Sequence, residues 1–228
     1  MMTTREPFQV RDSWVIADSM VDTYAEIAEE AFGCFLFEKA NPVPKPERPS
    51  DARAYDQQET RKTVAGIKTI VFSAMALEAA AYEFALIQLG EPLAKTYLDR
   101  LDVVGKWVVI PRLVCGRSLR EDGPAINGLK GLVTARNELV HHKTQEWDRA
   151  GKAEKAMRQR WASFEADQVS NAFKTLILLS LELNAVLETG GPLPPFEKGW
   201  IHADKRNPLV QHVVHRCREI HQNNWQGV

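Results

Sequence analysis

Apolar residues recur at spacings of three and four through most of this chain, the spacing that places them along one face of an α-helix. The longest such pattern runs from Arg61 to Leu89, and a second long one runs from about Lys152 to Glu188. Shorter patterns predict helices over Trp14–Phe37, Glu91–Lys106 and Pro208–Gln222. No convincing strand hairpin accompanies them, so the chain is predicted to be all-α.

Proline and glycine residues separate these helices. The segment Asn41–Ser50 holds four prolines, and because each fixes φ and lacks an N–H donor, it is predicted to be an extended loop. Gly90 followed by Pro92 is a typical helix end. The run Trp107–Pro111 is apolar and rich in β-branched residues. Because no partner strand is visible elsewhere, we interpret it as a buried helix or turn that is interrupted at the proline.

Length and composition indicate one sizeable globular unit. The chain has 228 residues, of which 44% are hydrophobic and 26% are charged, which is ordinary for a protein with a large core. We predict a single domain over residues 1–228. It comprises an up-down bundle of four to five long helices over about residues 14–189 and a C-terminal helical extension over about residues 190–228. This extension would pack on the bundle or reach to a partner.

Charge and cysteine content indicate the kind of partner and the cellular compartment to expect. A formal net charge of −1 gives no global field toward nucleic acid or membrane, so any RNA-binding surface must be a local patch. Three widely spaced cysteines suggest no disulfide framework and favour a reducing compartment. The first residues lack the apolar core of a signal peptide, and uninterrupted apolar runs are far shorter than the roughly 20 residues that span a bilayer. We therefore expect a cytoplasmic protein with no membrane partner.

A cluster of chemically useful side chains ends one further apolar helix, whose start is signalled by Asp122–Pro124. Its end carries Arg136, Asn137 and His141, directly followed by His142. An imidazole titrates near neutral pH and can take or return a proton. Arginine stays charged, and its planar fork matches two phosphate oxygens. These residue types together are suited to metal-free chemistry on a phosphodiester.

The motif and the order of the helices resemble the HEPN superfamily, a family of compact bundles of four or five helices. Its motif is an arginine, usually a polar residue, and a histidine after four to six intervening positions. Arg136 and His141 leave four residues between them, and His142 leaves five. A small-residue helix at Ser73–Ala80 and a tryptophan–proline segment at Lys106–Pro111 precede the motif helix. The resemblance covers the chain from about residue 14 to 188.

The resemblance implies a metal-independent endoribonuclease that needs no cofactor and acts in abortive infection or a toxin–antitoxin response. It also implies a homodimer in which two copies of the motif form one shared cleft for RNA. An antitoxin protein would then be a further partner. The branch with nucleotidyltransferase antitoxins has a tyrosine two positions after the histidine, where this chain has Lys143, which argues against a modifying antitoxin.

Helix geometry helps to assign roles within the motif. At about 100° per residue, Arg136 and His141 point about 140° apart, whereas Asn137 and His141 share a face. We predict His141 as the acid/base, Arg136 as the stabiliser of phosphate charge and Asn137 as the residue that orients the imidazole. His142 is either an outer contact to RNA or the catalytic histidine itself. The alternative function is a non-catalytic HEPN-like module that binds RNA, a nucleotide or a protein partner, with the motif bracing the helix end.

Other charged residues could support such a site. Glu78 lies in an otherwise apolar stretch; a buried carboxylate there would need a partner such as Arg136 or Lys68, whereas an exposed one would be purely structural. A further group consists of cations that could grip RNA phosphates or be ordinary solvated charges. These cations are Arg117, Arg120, Lys130 and Lys143.

The C-terminal tail contains residues of the types that bind zinc: His212, His215, Cys217 and His221. His212 and His215 have helical spacing, but Cys217 would point elsewhere. No second cluster is available to complete a tetrahedral site. We therefore predict no metal.

Overall fold

The computed structural model describes residues 19–141, 151–197 and 206–225, and the regular structure within these ranges is entirely helical. The all-α prediction is confirmed. A 3-10 turn at Pro49–Asp51 and two π-helical turns at Ala94–Leu98 and Phe164–Gln168 accompany the α-helices. The α-helices are α1 Val21–Ala40, α2 Arg53–Leu89, the single turn α3 Glu91–Leu93, α4 Val103–Cys115, α5 Pro124–Val140, α6 Lys152–Ser163, α7 Val169–Leu187 and α8 Pro208–Trp225.

The longest sequence patterns correspond to the longest helices. α2 ends at Leu89 as predicted, and the following Gly90 adopts a φ of +88°, a left-handed conformation that glycine reaches without steric cost. Its start at Arg53 is earlier than the expected Arg61. α6, a π-helical turn and α7 form one run over residues 152–187, close to the predicted long helix. The predicted start of the first helix lies partly outside the described residues, and α1 begins at Val21.

The helix predicted over Glu91–Lys106 is wrong. That segment contains α3 and a π-helical turn ending at Leu98, and a new helix, α4, begins at Val103. Asp102 caps this new helix, because its Oδ1 accepts a hydrogen bond from the main-chain N–H of Gly105 at 2.7 Å. An aspartate at this position satisfies one of the free N–H groups of the first turn and thereby starts a helix where apolar periodicity alone does not.

The interruption predicted at Pro111 is also wrong, since α4 continues through it to Cys115. Trp107, Ile110 and Pro111 are all buried, and the indole N–H of Trp107 donates to the carbonyl of Leu77 at 3.2 Å. Proline removes one main-chain hydrogen bond from a helix interior. The packing of this apolar face against α2 offsets that loss.

The core surrounds α7, whose residues are mostly buried. The ring of Phe173 stacks on Phe32 of α1, with centroids 4.9 Å apart, and meets Phe196 edge-on at 6.2 Å. α8 packs on α1 and α7 and buries Val210 and Val214 completely. The helix of the C-terminal extension therefore shares the core of the bundle.

Two helical runs, Arg53–Leu89 and Lys152–Leu187, are long and apolar enough to cross a membrane by length and composition alone. Uninterrupted apolar runs do not show this, because scattered polar residues divide segments that are apolar on average. In the second run, 72% of the most apolar window is buried inside the protein. Core helices of soluble proteins pass the same test, so the finding is weak evidence for a membrane span, and the expected absence of a membrane partner stays a prediction.

Candidate functional site

The predicted motif lies at the carboxyl end of α5. This helix begins at Pro124, a position where the missing N–H donor would have no partner in any case. It ends at Val140, because His141 leaves helical geometry with a φ of −102° and a ψ of 27°. Arg136 is half-buried, and Asn137 and His141 are exposed. The structure thus presents the three side chains at one open helix end.

Arg136 and Asn137 are hydrogen-bonded to each other, with Arg136 Nη1 donating to Asn137 Oδ1 at 3.0 Å. Within the described parts of the chain, Asn137 is the hydrogen-bond partner of the Arg136 side chain and no carboxylate pairs with it. A guanidinium has five N–H donors, so one such bond uses a small part of its capacity. The amide oxygen of Asn137 serves the arginine, and its role in orienting His141 stays a prediction. His142 and Lys143 lie outside the described residues, and their roles also stay predictions.

Two residues that the sequence did not suggest hold the motif helix against its neighbours. Arg160 of α6 donates from Nη2 to the carbonyl of Glu138 at 2.7 Å. Gln168, at the end of the π-helical turn, donates from Nε2 to Glu138 Oε2 at 3.2 Å. A cation on the last carbonyls of a helix is favourable because it meets the negative end of the helix dipole. The open end of α5 therefore has a fixed position.

The two arginines that could grip RNA lie in the loop before α5, at the opposite end of a helix that is about 25 Å long. Arg117 Nη1 pairs with Glu188 Oε1 at 2.5 Å. Arg120 Nη1 donates to the carbonyl of Asn224 at 2.7 Å. Both side chains thus link the loop before α5 to α7 and α8, and neither meets the motif of its own chain.

Lys130 and Glu78 are both exposed. Lys130 lies on α5, eleven residues before His141 and therefore about 16 Å from it along the axis. Among the described residues, its Nζ donates to the carbonyl of Glu121, at 3.4 Å. Glu78 forms no hydrogen bond or ion pair with another described residue. The buried, paired carboxylate considered for Glu78 is not observed, and the structural alternative applies.

A groove of about 1110 Å³ lies along α1 and does not include the motif. Its lining includes Asp22, Glu26, Glu29 and Glu83. Burial raises the pKa of Glu29, although Arg206 beside it acts in the opposite direction. An acidic lining repels phosphate. The acidic lining therefore makes this groove a poor site for RNA, despite its volume.

The described C-terminal histidines lie on α8. In the described part of the chain, no group of three or more His, Cys, Asp or Glu side chains could hold a metal ion. Cys217 is buried, and burial raises the pKa of its thiol to about 11, which disfavours the thiolate that binds metal. His221 stacks on Trp225 with ring centroids 5.7 Å apart, and burial lowers its pKa. These side chains belong to the packing of α8.

Comparison with protein-family models, curated proteins and solved structures gave no match. The resemblance to the HEPN superfamily therefore rests on the motif and the order of the helices. The structure supports the coarser statement, an all-α helical bundle with the motif at an open helix end.

Proposed function

We propose that this protein is a metal-independent endoribonuclease of HEPN type that acts in bacterial defence or a toxin–antitoxin response. One observation carries the proposal: Arg136, Asn137 and His141 stand together at a helix end that is open to solvent. RNA supplies its own nucleophile, the 2′-hydroxyl next to the scissile phosphate. The protein needs only to move protons and to stabilise negative charge on the phosphate.

In the proposed reaction, His141 accepts the proton of the 2′-hydroxyl while its oxygen forms a bond to phosphorus. The bond from phosphorus to the 5′-oxygen breaks, and the leaving oxygen takes a proton from a second imidazole. The products are a 2′,3′-cyclic phosphate and a 5′-hydroxyl. Arg136 donates to the non-bridging oxygens as their charge grows, and Asn137 holds the guanidinium.

A second copy of the chain would supply the other imidazole. Arg136 and His141 diverge by about 140° on one helix, so two helix ends facing each other would surround a phosphate more completely than one. Exposed apolar side chains near the motif support a protein partner there. Val140 is 53% exposed, and on α6 Met157 is 52% and Trp161 is 38% exposed. A homodimer would cover this apolar surface and form a composite site.

The test is an RNA cleavage assay in EDTA that compares wild type with Arg136→Ala and His141→Ala. Matched controls are Arg216→Ala and His215→Ala, exposed residues of the same types on α8. We expect both motif variants to lose at least about 100-fold in cleavage rate, since proton transfer and charge stabilisation each contribute that much. The controls should cleave like wild type, and the product should carry the cyclic phosphate.

Folded wild type that leaves varied single-stranded RNAs intact would overturn the proposal. The alternative, a non-catalytic HEPN-like module that binds RNA, a nucleotide or a protein partner, would then take its place. A bound antitoxin protein would inhibit cleavage. The assay should therefore use protein that has been separated from any protein that copurifies with it.

A further inference from the structure

A second groove, of about 660 Å³, lies between α5 and the run formed by the π-helical turn and α7. It does not coincide with the motif but lies on the same helix. Most of its lining is polar, with two lysines and one carboxylate among side-chain amides and hydroxyls. The polar side chains that matter here are Asn127, Lys130, Thr134, Asp167, Asn171 and Lys174.

The floor of this groove is fixed by a close contact between antiparallel helices. A Cβ added at Gly128 would lie 2.5 Å from Thr175 Oγ1, and one at Gly131 would lie 3.1 Å from Asn171 Nδ2. At Gly128 a side chain would therefore force the helices or Thr175 to move, whereas at Gly131 Asn171 would need to shift only slightly. Asn171 Nδ2 also donates to the carbonyl of Gly128 at 3.0 Å. The groove is thus a preformed feature of helix packing.

The α5 wall of the groove leads directly to the motif. At about 100° per residue, Thr134, Asn137 and His141 all lie within about 40° of Lys130 around the helix axis. Lys130 and His141 are the two ends of this stripe, about 16 Å apart. A strand that follows the stripe from Lys130 therefore arrives at the predicted acid/base. Arg136, on another side of the helix, reaches the stripe through its hydrogen bond to Asn137.

The opposite wall contains the π-helical turn Phe164–Gln168, which places Asp167 and Gln168 along the groove. Gln168 joins this wall to the motif helix through Glu138, at 3.2 Å. Single π-helical turns inside longer helices occur frequently at functional sites. This π-helical turn lies where the groove approaches the motif. It is a backbone feature, so it supports a functional groove independently of the charges of the lining.

The charges of the groove favour an anionic ligand. Lys130 and Lys174 outnumber the one carboxylate, Asp167, and neither lysine has a carboxylate partner within the described ranges. Asn127 and Thr134 also line the α5 wall. Asn127 Nδ2 donates to the carbonyl of Asp122 at 2.8 Å and keeps a second N–H for a ligand, whereas the Thr134 hydroxyl donates to the carbonyl of Lys130 at 3.0 Å. This composition differs from that of the larger groove along α1, which is lined by carboxylates. Separated cations with intervening hydrogen-bond donors suit a chain of phosphates.

We infer that this groove binds the phosphodiester backbone of single-stranded RNA and leads it to Arg136 and His141. The inference rests on the proposed function, for which it names the path of the substrate. Lys130 and Lys174 contact phosphates, and the second amide N–H of Asn127 donates to a phosphate or ribose oxygen.

The test measures binding separately from cleavage. A fluorescein-labelled RNA with 2′-O-methyl groups has no 2′-hydroxyl nucleophile and stays intact, so fluorescence anisotropy reports affinity alone. The groove variant is Lys130→Ala with Lys174→Ala, and the matched control is Lys45→Ala with Lys95→Ala, which removes the same charge from exposed positions elsewhere. Lys130→Arg with Lys174→Arg tests whether positive charge is sufficient.

We expect the groove variant to bind about tenfold more weakly at roughly 0.15 M salt, while the control binds like wild type. The slope of log affinity against log salt should fall in magnitude by about 1.4, since each phosphate contact to a single strand contributes about 0.7. The arginine variant should retain most of the affinity. Equal binding by the groove variant and the control would overturn the inference, as would wild type that binds no RNA.

The result also distinguishes this inference from the cleavage proposal. If wild type binds RNA through the groove but never cleaves natural RNA, the RNA-binding groove is supported and the proposed ribonuclease activity is rejected. Cleavage that depends on Arg136 and His141 but is unchanged in both binding and rate by the groove variant would support the enzyme and overturn the path.

Discussion

The two ends of α5 differ in how their charged side chains are used. In the loop before the amino end, Arg117 pairs with Glu188, and the guanidinium of Arg120 donates to the carbonyl of Asn224 at 2.7 Å. The main-chain N–H of Arg120 also donates to the buried Glu182 at 2.6 Å. At the carboxyl end, Arg136 has a neutral partner, Asn137, and lies at an exposed surface. A cation with an anionic partner helps to hold a fold together, whereas one whose described partner is neutral is a candidate for binding a ligand. The comparison contrasts arginines in fold contacts before α5 with the candidate arginine near its carboxyl end.

The strongest test of the open end is Val140→Asp. If a second copy covers this surface, the aspartate would be buried without a partner, which costs several kcal/mol and should dissociate the dimer. Sedimentation should show a monomer, and RNA cleavage should fall at least about 100-fold because the composite site is lost. Leu113→Asp is a matched control, since Leu113 is 48% exposed and also lies in the last turn of its helix.

Both variants place a negative charge near a helix carboxyl end, so any effect of the helix dipole is common to them. A dimeric and active Val140→Asp protein would show that this apolar surface is not the interface. If both variants lost activity equally, the cause would be general instability, and the comparison of the two ends would gain no support.

The contrast between the two ends also shows what the sequence could predict. Regular apolar spacing predicts α2 and α7, and Asp122–Pro124 places the start of α5 nearly correctly, because these signals are local. The contact between Arg120 and Glu182 joins residues 62 apart in sequence, and nothing in a local pattern indicates it. From the sequence, Arg117 and Arg120 could be either cations that contact RNA or ordinary solvated charges, whereas the structure shows both in contacts within the fold.

For the candidate site, too, the sequence indicates the residues of the motif but not the side chains that pack around it. Residue types and spacing indicate Arg136 and His141, but the position of Arg160 and Gln168 beside Glu138 depends on how α6 and the π-helical turn pack. The signal that could have suggested the groove was the Gly128–Gly131 pair on α5, since small residues one turn apart permit close helix packing. The helix that packs there could not be identified from the sequence.

Near the amino end of α5, where Glu182 accepts a hydrogen bond from Arg120, Glu182→Ala should lower the stability of the fold without a direct effect on cleavage. Glu182 is 5% exposed, and its removal leaves the N–H of Arg120 without its acceptor. An unsatisfied buried donor costs about 1–3 kcal/mol, which lowers Tm by roughly 3–10 °C in a protein of this size. Glu182→Gln keeps an acceptor oxygen and should lose less. Thermal unfolding provides the measurement, and cleavage per folded molecule should match wild type in both variants.

An equal loss of stability in the alanine and glutamine variants would contradict this account, because it would assign the effect to charge rather than to the hydrogen bond. Loss of cleavage by well-folded Glu182→Gln would contradict it in another way. The amino end would then influence the motif through α5, and the two ends could no longer be treated as separate.

The smallest expected effect is the pH dependence of the same site. Burial raises the pKa of Glu182 above its ordinary value of 4.5, although the Arg120 N–H and guanidinium act in the opposite direction. A raised pKa means that the folded protein favours the protonated carboxyl, so this contribution to stability is complete below the ordinary value and is lost as pH rises through the raised one. Glutamine does not titrate, and the other carboxyl groups are common to both proteins. The Tm of wild type minus that of Glu182→Gln should therefore decrease from about pH 4 to about pH 7. A difference that stayed constant or increased would show that the hydrogen bond from Arg120, rather than burial, determines the ionisation of this carboxylate.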